Sequence, residues 1–98
     1  MLRAVFVRTL KPGVSYAQFA DAWVPETDSP YPAKASISRN VADDRQVITI
    51  IELDTTPEGF TAARDSLTRP DGAARIAELV ESTQLEGLYD QVLDDSAL

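Results

Sequence analysis

Hydrophobic and polar positions repeat with two different periods along this chain, and each change of period marks an element. Leu2–Leu10 is rich in β-branched and aromatic residues and carries only Arg3 and Arg8 as charges, which predicts a strand. Apolar groups fall on both alternating faces, Ala4 and Phe6 on one and Val5 and Val7 on the other, as in a strand covered on both sides. Lys11-Pro12-Gly13 then breaks the run, since proline and glycine punctuate extended chain. A helix begins at Ser15. Ser15-x-x-Gln18 fits a capping box, and Tyr16, Phe19, Ala20 and Trp23 recur at helical spacing. Pro25, directly after Val24, ends it, and Pro25, Pro30 and Pro32 make the segment around Tyr31 a stiff connection.

Ala33–Val41 alternates, with Ala35, Ile37, Arg39 and Val41 against Lys34, Ser36, Ser38 and Asn40, the pattern of a strand with one wet face. Asp43-Asp44 suits the turn of a hairpin. Val47–Leu53 is again apolar on both faces and should be a central strand. Thr55-Thr56-Pro57-Glu58 predicts a second helix, with a threonine cap, proline in the first turn and Glu58 reaching back. Phe60, Ala63 and Leu67 share its apolar side. After Arg69-Pro70-Asp71-Gly72 a third helix is expected to about Thr83, burying Ile76, Leu79 and Val80. Glu86–Leu93 reads as the last strand, and Asp94–Leu98 as a frayed tail.

The order β-α-β-β-α-(α)-β is the ferredoxin-like, split-βαβ pattern of the α+β class. Residues 1–98 form one domain, with a four-stranded antiparallel or mixed sheet and the helices on one face. The expected layout makes strands one and three central and parallel, and strands two and four edges. The helices leave the second apolar sheet face open, a patch of the kind that marks an interaction site. Pairing of that face with a second copy predicts a homodimer. The alternative is a monomer whose open face is softened by Arg3, Arg8, Arg39 and Thr49.

Composition narrows the chemistry. The chain has no cysteine and no histidine, which removes disulfides, thiolate nucleophiles, histidine-based triads and histidine-ligated metals or haem. A net charge of −7 disfavours nucleic acid and anionic membranes as partners. No apolar run approaches the roughly 18 residues of a membrane span, and the N-terminal stretch lacks a signal-peptide pattern, so a cytoplasmic protein is expected. Gly13, Gly59, Gly72 and Gly87 are scattered and build no phosphate loop. No cofactor is called for.

Lys11-Pro12-Gly13, Ser15, Phe19 and Trp23 resemble the opening of EthD-like proteins, a Lys-Pro-Gly turn feeding a helix with spaced Phe and Trp. Together with the element order, the chain looks like the dimeric α/β-barrel superfamily, which includes EthD-like proteins, stress-responsive A/B-barrel proteins and antibiotic-biosynthesis monooxygenases. The resemblance implies a homodimer with a small apolar pocket between helices and sheet. It implies a cofactor-independent monooxygenase, cyclase or isomerase acting on an aromatic or polyketide-like substrate. A non-catalytic ligand-binding or stress-associated protein, and a purely structural dimer, are the alternatives. Thr27 stands where EthD-like proteins usually carry a histidine. Val5, Val7 and Thr9 stand in the strand where the monooxygenases often carry asparagine, and the second helix has no Trp or His.

Trp23, the sole tryptophan, either walls a pocket for a flat ligand or holds the first helix onto the core. Tyr31 either closes the pocket mouth or packs on the surface. The hydroxyls of Tyr16 and Tyr89 can orient a phenol or ketone, or find an ordinary partner. Arg8 and Glu52 form a cross-strand ion pair, unless Glu52 is a buried general base. Arg39, on the face of Ile37, reaches into the dimer interface or binds an anionic ligand. Asp43-Asp44 and Asp94-Asp95 belong to solvated turn and tail, without a calcium-loop pattern. The expected ligand contacts are thus Tyr16, Trp23, Tyr31 and Arg39, with Glu52 as the candidate catalytic group.

Overall fold

A computed structural model describes residues 1–23, 33–67 and 70–97. Its elements are β1 (Leu2–Leu10), α1 (Tyr16–Trp23), β2 (Lys34–Asn40), β3 (Asp43–Leu53), α2 (Pro57–Leu67), α3 (Pro70–Leu79), β4 (Val80–Asp90) and a closing 3₁₀ turn, Asp95–Ala97. The four strands form one sheet in the order β2-β3-β1-β4, the ferredoxin-like α+β arrangement expected from the element order.

All three pairings are antiparallel, so the expected parallel pairing of strands one and three is corrected. The β2–β3 hairpin reverses the chain. The α1 crossover brings β2 back in the direction of β1, so β3, lying between them, runs against both. The register places Ala4 opposite Ile51, Phe6 opposite Thr49 and Arg8 opposite Val47. Arg8 and Glu52 therefore do not meet. Glu52 lies opposite Arg3, and their side chains approach to 3.5 Å.

Local chemistry explains the element ends. The Val14 amide donates to the Lys11 carbonyl at 3.1 Å, closing a turn with Pro12 at its second position and Gly13 at its third. Gly13 has φ +84°, a conformation that suits glycine at the third position of a type II turn. The Gln18 amide donates to the Ser15 hydroxyl at 3.2 Å and the Ser15 amide to the Gln18 side chain at 2.8 Å, completing the expected capping box. In α2 the Gly59 amide donates to the Thr56 hydroxyl. Thr56 is thus the cap and Pro57 the first helical residue. The position from which a side chain would reach back belongs to Gly59, not Glu58.

Several boundaries differ from expectation, among them the start of the third helix at Pro70 rather than after Gly72 and of β3 at Asp43 rather than Val47. The hairpin turn is Val41-Ala42, not Asp43-Asp44, because Asn40 pairs with Asp43 across it. The Asn40 and Asp43 side chains accept amides two residues on, from Ala42 and Arg45. The third helix ends at Leu79 rather than near Thr83, and β4 starts at Val80 rather than Glu86. The segment after Leu79 gains ladder bonds along the last third of β1, with Val80 opposite Leu10 and Ser82 opposite Thr9. That gain outweighs a further turn of helix. Val92 and Leu93 lie beyond the sheet and are exposed.

The core lies between one sheet face and the helices. At one end Leu10 and Val47 pack with Phe19 and Ala22 of α1 and Ile76 of α3. At the other, Ala4 and Ile51 pack with Phe60 and Ala63 of α2. The buried side of α1 runs through Phe19, Ala22 and Trp23, while Tyr16 is about half exposed. On the opposite sheet face Val5 pairs with Ile50 and Val7 with Ile48. These four are only partly buried, and no described helix covers them. Among the described residues no helix is long and apolar enough to cross a membrane.

Candidate functional site

The helix-facing side of the sheet is apolar at its two ends and polar between them. On β1 it presents Leu2, Ala4, Phe6, Arg8 and Leu10; on β3, Leu53, Ile51, Thr49 and Val47. Thr49 is 1% exposed, yet its hydroxyl has no hydrogen-bond partner. One guanidinium nitrogen of Arg8 and the indole Nε1 of Trp23 are also buried and without a partner.

All three groups lie on the helix side of the sheet. Thr49 sits directly across from Phe6, and the Arg8 guanidinium carbon lies 4.5 Å from the centroid of the Phe6 ring, a cation–π geometry. Trp23 packs against both core clusters, whose β3 members Val47 and Ile51 flank Thr49. Phe19 meets Trp23 edge to face, at 6.4 Å between centroids and 73° between planes, which fixes the indole plane. Burial pushes the Arg8 guanidinium below its usual pKa, partly offset by the negative charge of Glu86. Glu86 lies opposite Phe6 on β4 and is itself exposed.

Tyr16 and Arg39 come together elsewhere. The Arg39 guanidinium carbon stands 4.5 Å above the Tyr16 ring. Both line a groove of about 320 Å³ with Gly13, Val14, Ser15, Asp44 and Arg45, a volume at the lower limit for small-molecule pockets. Most of its walls are exposed. Ile37, the neighbour of Arg39 on its face, packs against the helix-side core. Arg39 therefore faces the helices, and the expected reach into a sheet-face interface is corrected.

Glu52 lies on the other side of the sheet from Trp23, paired with Arg3. Tyr89 is on that open face too, opposite Arg3, with its ring close over Gly87. Of the four residues proposed to soften the open face, only Arg3 lies there. Arg8, Arg39 and Thr49 point to the helices. Tyr31 lies outside the described residues.

Two residues of the helix-side site, Arg8 and Thr49, were not among the expected ligand contacts. Their signal was present: a charge on the Phe6 face of an apolar strand, and a hydroxyl between Ile48 and Ile50 in the most apolar run.

The chain superposes on a solved protein from Chloroflexus aurantiacus J-10-fl, provisionally named an antibiotic biosynthesis monooxygenase. The TM-score is 0.68, over 95% of this chain and 94% of that one, at 18% identity. The two share a fold. No family model and no curated protein matches this chain. That likeness extends over nearly the whole length of both chains and concerns the fold.

Proposed function

We propose that this chain is a homodimeric α/β-barrel protein that binds a small aromatic or polyketide-like molecule on the helix side of its sheet and acts on it as a cofactor-independent monooxygenase or cyclase. The observation that carries this reading is the pair of buried, unpartnered groups on Trp23 and Thr49 beside the Phe6 ring. An unmet buried polar group costs about 1–3 kcal/mol. Two of them against an aromatic wall suit a flat ligand bearing an oxygen.

In oxygenation without a cofactor, the substrate anion itself supplies the electron to oxygen. The protein then has to bind, assist deprotonation and exclude water. Phe6, Phe19 and Trp23 supply the apolar walls. Glu52 enters through the other face. There Val5, Val7, Ile48 and Ile50 form an apolar centre, with Ser36, Ser38, Lys34 and the Arg3–Glu52 pair along its border. An apolar centre with a polar border is the anatomy of a protein interface, and a second copy is its partner. The absence of histidine, with Glu52 off the helix side, favours a second reading in which the same site binds without turnover.

The test is titration with an enolisable polycyclic aromatic ketone, following Trp23 emission and oxygen uptake. Saturable quenching that is abolished by Phe6→Ala supports the site. Oxygen uptake separates enzyme from binder. Emission unchanged up to the solubility limit of the ketone contradicts both readings.

A further inference from the structure

Neither the aromatic site nor the dimer face proposed above uses the groove beside Tyr16 and Arg39. It lies where the β2–β3 hairpin meets the turn that leads into α1, and its lining carries three charged residues, Arg39, Asp44 and Arg45. Arg45 is already matched: it pairs with Glu81, and its Nε donates to the Leu10 carbonyl at 3.0 Å. Ser15 is engaged as well, its hydroxyl accepting the Gln18 amide in the capping box. That leaves Arg39 and Asp44. Among the described residues neither side chain has an ion pair or a hydrogen bond, and although both line one groove they do not pair with each other.

We propose that this groove binds a small zwitterion, an α-amino acid, with its carboxylate on the Arg39 guanidinium and its ammonium on the Asp44 carboxylate. Arg39 is held at the groove by its contact with the Tyr16 ring, 4.5 Å from the guanidinium carbon, and its N–H donors remain without an acceptor. A guanidinium matches a carboxylate as a two-pronged fork, and an ammonium brings donors that a carboxylate accepts. A lone anion would answer Arg39 and be repelled by Asp44; a lone cation would meet the reverse. A molecule carrying both charges answers the two side chains together, because the first contact makes the second effectively intramolecular.

The dimensions agree with a small ligand. The volume, about 320 Å³, stands at the lower end of the range for pockets that hold larger organic molecules. Val14, partly buried against the core, offers an apolar wall for an aliphatic side chain. Trp23 is not part of this lining, so the groove is filled independently of the aromatic site.

The experiment titrates the full chain at pH 7 and fixed ionic strength with L-leucine and with two molecules that each keep one of its charges, 4-methylpentanoate and 3-methylbutylamine. The readout is the backbone amide resonances of Gly13 and Val14, with the indole resonance of Trp23, the sole tryptophan, as the control. Leucine should bind saturably and roughly fivefold tighter than either analogue or better, the upper end for an exposed ion pair, and should leave the indole unmoved. Arg39→Gln should reduce leucine to the affinity of 3-methylbutylamine, and Asp44→Asn to that of 4-methylpentanoate. Both side chains are exposed, so these variants keep the fold. A single-charge analogue that binds as tightly as leucine overturns the zwitterion. Leucine binding unchanged by both substitutions overturns the assignment to Arg39 and Asp44. No shift at Gly13 and Val14 up to the solubility limit of leucine overturns the site, and leaves the aromatic reading, whose own test follows Trp23, untouched.

Discussion

Replacing Thr49 by valine should stabilise the unliganded protein. The side chain is 1% exposed and its hydroxyl has no partner. Valine keeps the branched shape and exchanges the hydroxyl for a methyl group. Leaving a buried hydroxyl unmet costs about 1–3 kcal/mol, whereas an apolar group of the same shape carries no such penalty. A gain of about 1–2 kcal/mol is expected, which for a domain of this size raises Tm by about 5–15 °C. The assay is thermal or urea unfolding at one fixed protein concentration, because a dimer's stability depends on concentration. The same variant should bind the enolisable polycyclic aromatic ketone several-fold more weakly, so that stability and affinity move in opposite directions. A loss of about 1 kcal/mol or more in the unliganded state would mean that the hydroxyl already has a partner, and would remove Thr49 from the site.

Phe19 is fully buried against Leu10, Val47 and Ile76 and sets the Trp23 plane; Phe19→Ala should cost about 3–5 kcal/mol in unfolding experiments and broaden the indole resonance. At Gly13 a Cβ meets nothing within 4 Å, so Gly13→Ala tests the φ of +84° alone and should cost about 1–2 kcal/mol, with Gly13→Asn cheaper. Arg45 pairs with Glu81 and also donates to the Leu10 carbonyl at 3.0 Å; Arg45→Ala should therefore destabilise more than Glu81→Ala, with a pair coupling in a double-mutant cycle of about 0.2–1 kcal/mol. Ile48→Glu, placed in the centre of the open sheet face, should give a folded chain of half the solution mass while sparing binding of the aromatic ketone.

Much of the fold was legible because the strands and helices obey their periods. Leu2–Leu10 and Val47–Leu53 carry apolar residues on both faces, and both proved central. The Ser15–Gln18 box and the Lys-Pro-Gly turn formed as their chemistry requires. Where expectation and structure part, a tertiary ladder decided a local ambiguity. Val80–Thr83 continues the helical stripe of Ile76 and Leu79, but it also alternates, and pairing with β1 claimed it as strand. The site was less legible because a side chain's face depends on register. Arg8 and Glu52 looked like neighbours only while strands one and three were taken as parallel. Once the pairing is antiparallel, Arg8 lies over Phe6 on the helix side, and Glu52 turns to Arg3. Tyr16 fits the helical spacing of Phe19 and Trp23, yet it lies at the first turn and stacks with Arg39 at the surface instead.

The proposed function gives the two faces of the sheet different tasks, ligand binding on the helix side and pairing with a second copy on the other. The measurement that tests the division most directly is the solution mass by light scattering after size exclusion. A mass near twice 10.7 kDa, falling to the single value in Ile48→Glu, is the expected result. A mass near 10.7 kDa for the unaltered chain across the micromolar range would contradict it, and would leave Val5, Val7, Ile48 and Ile50 facing water.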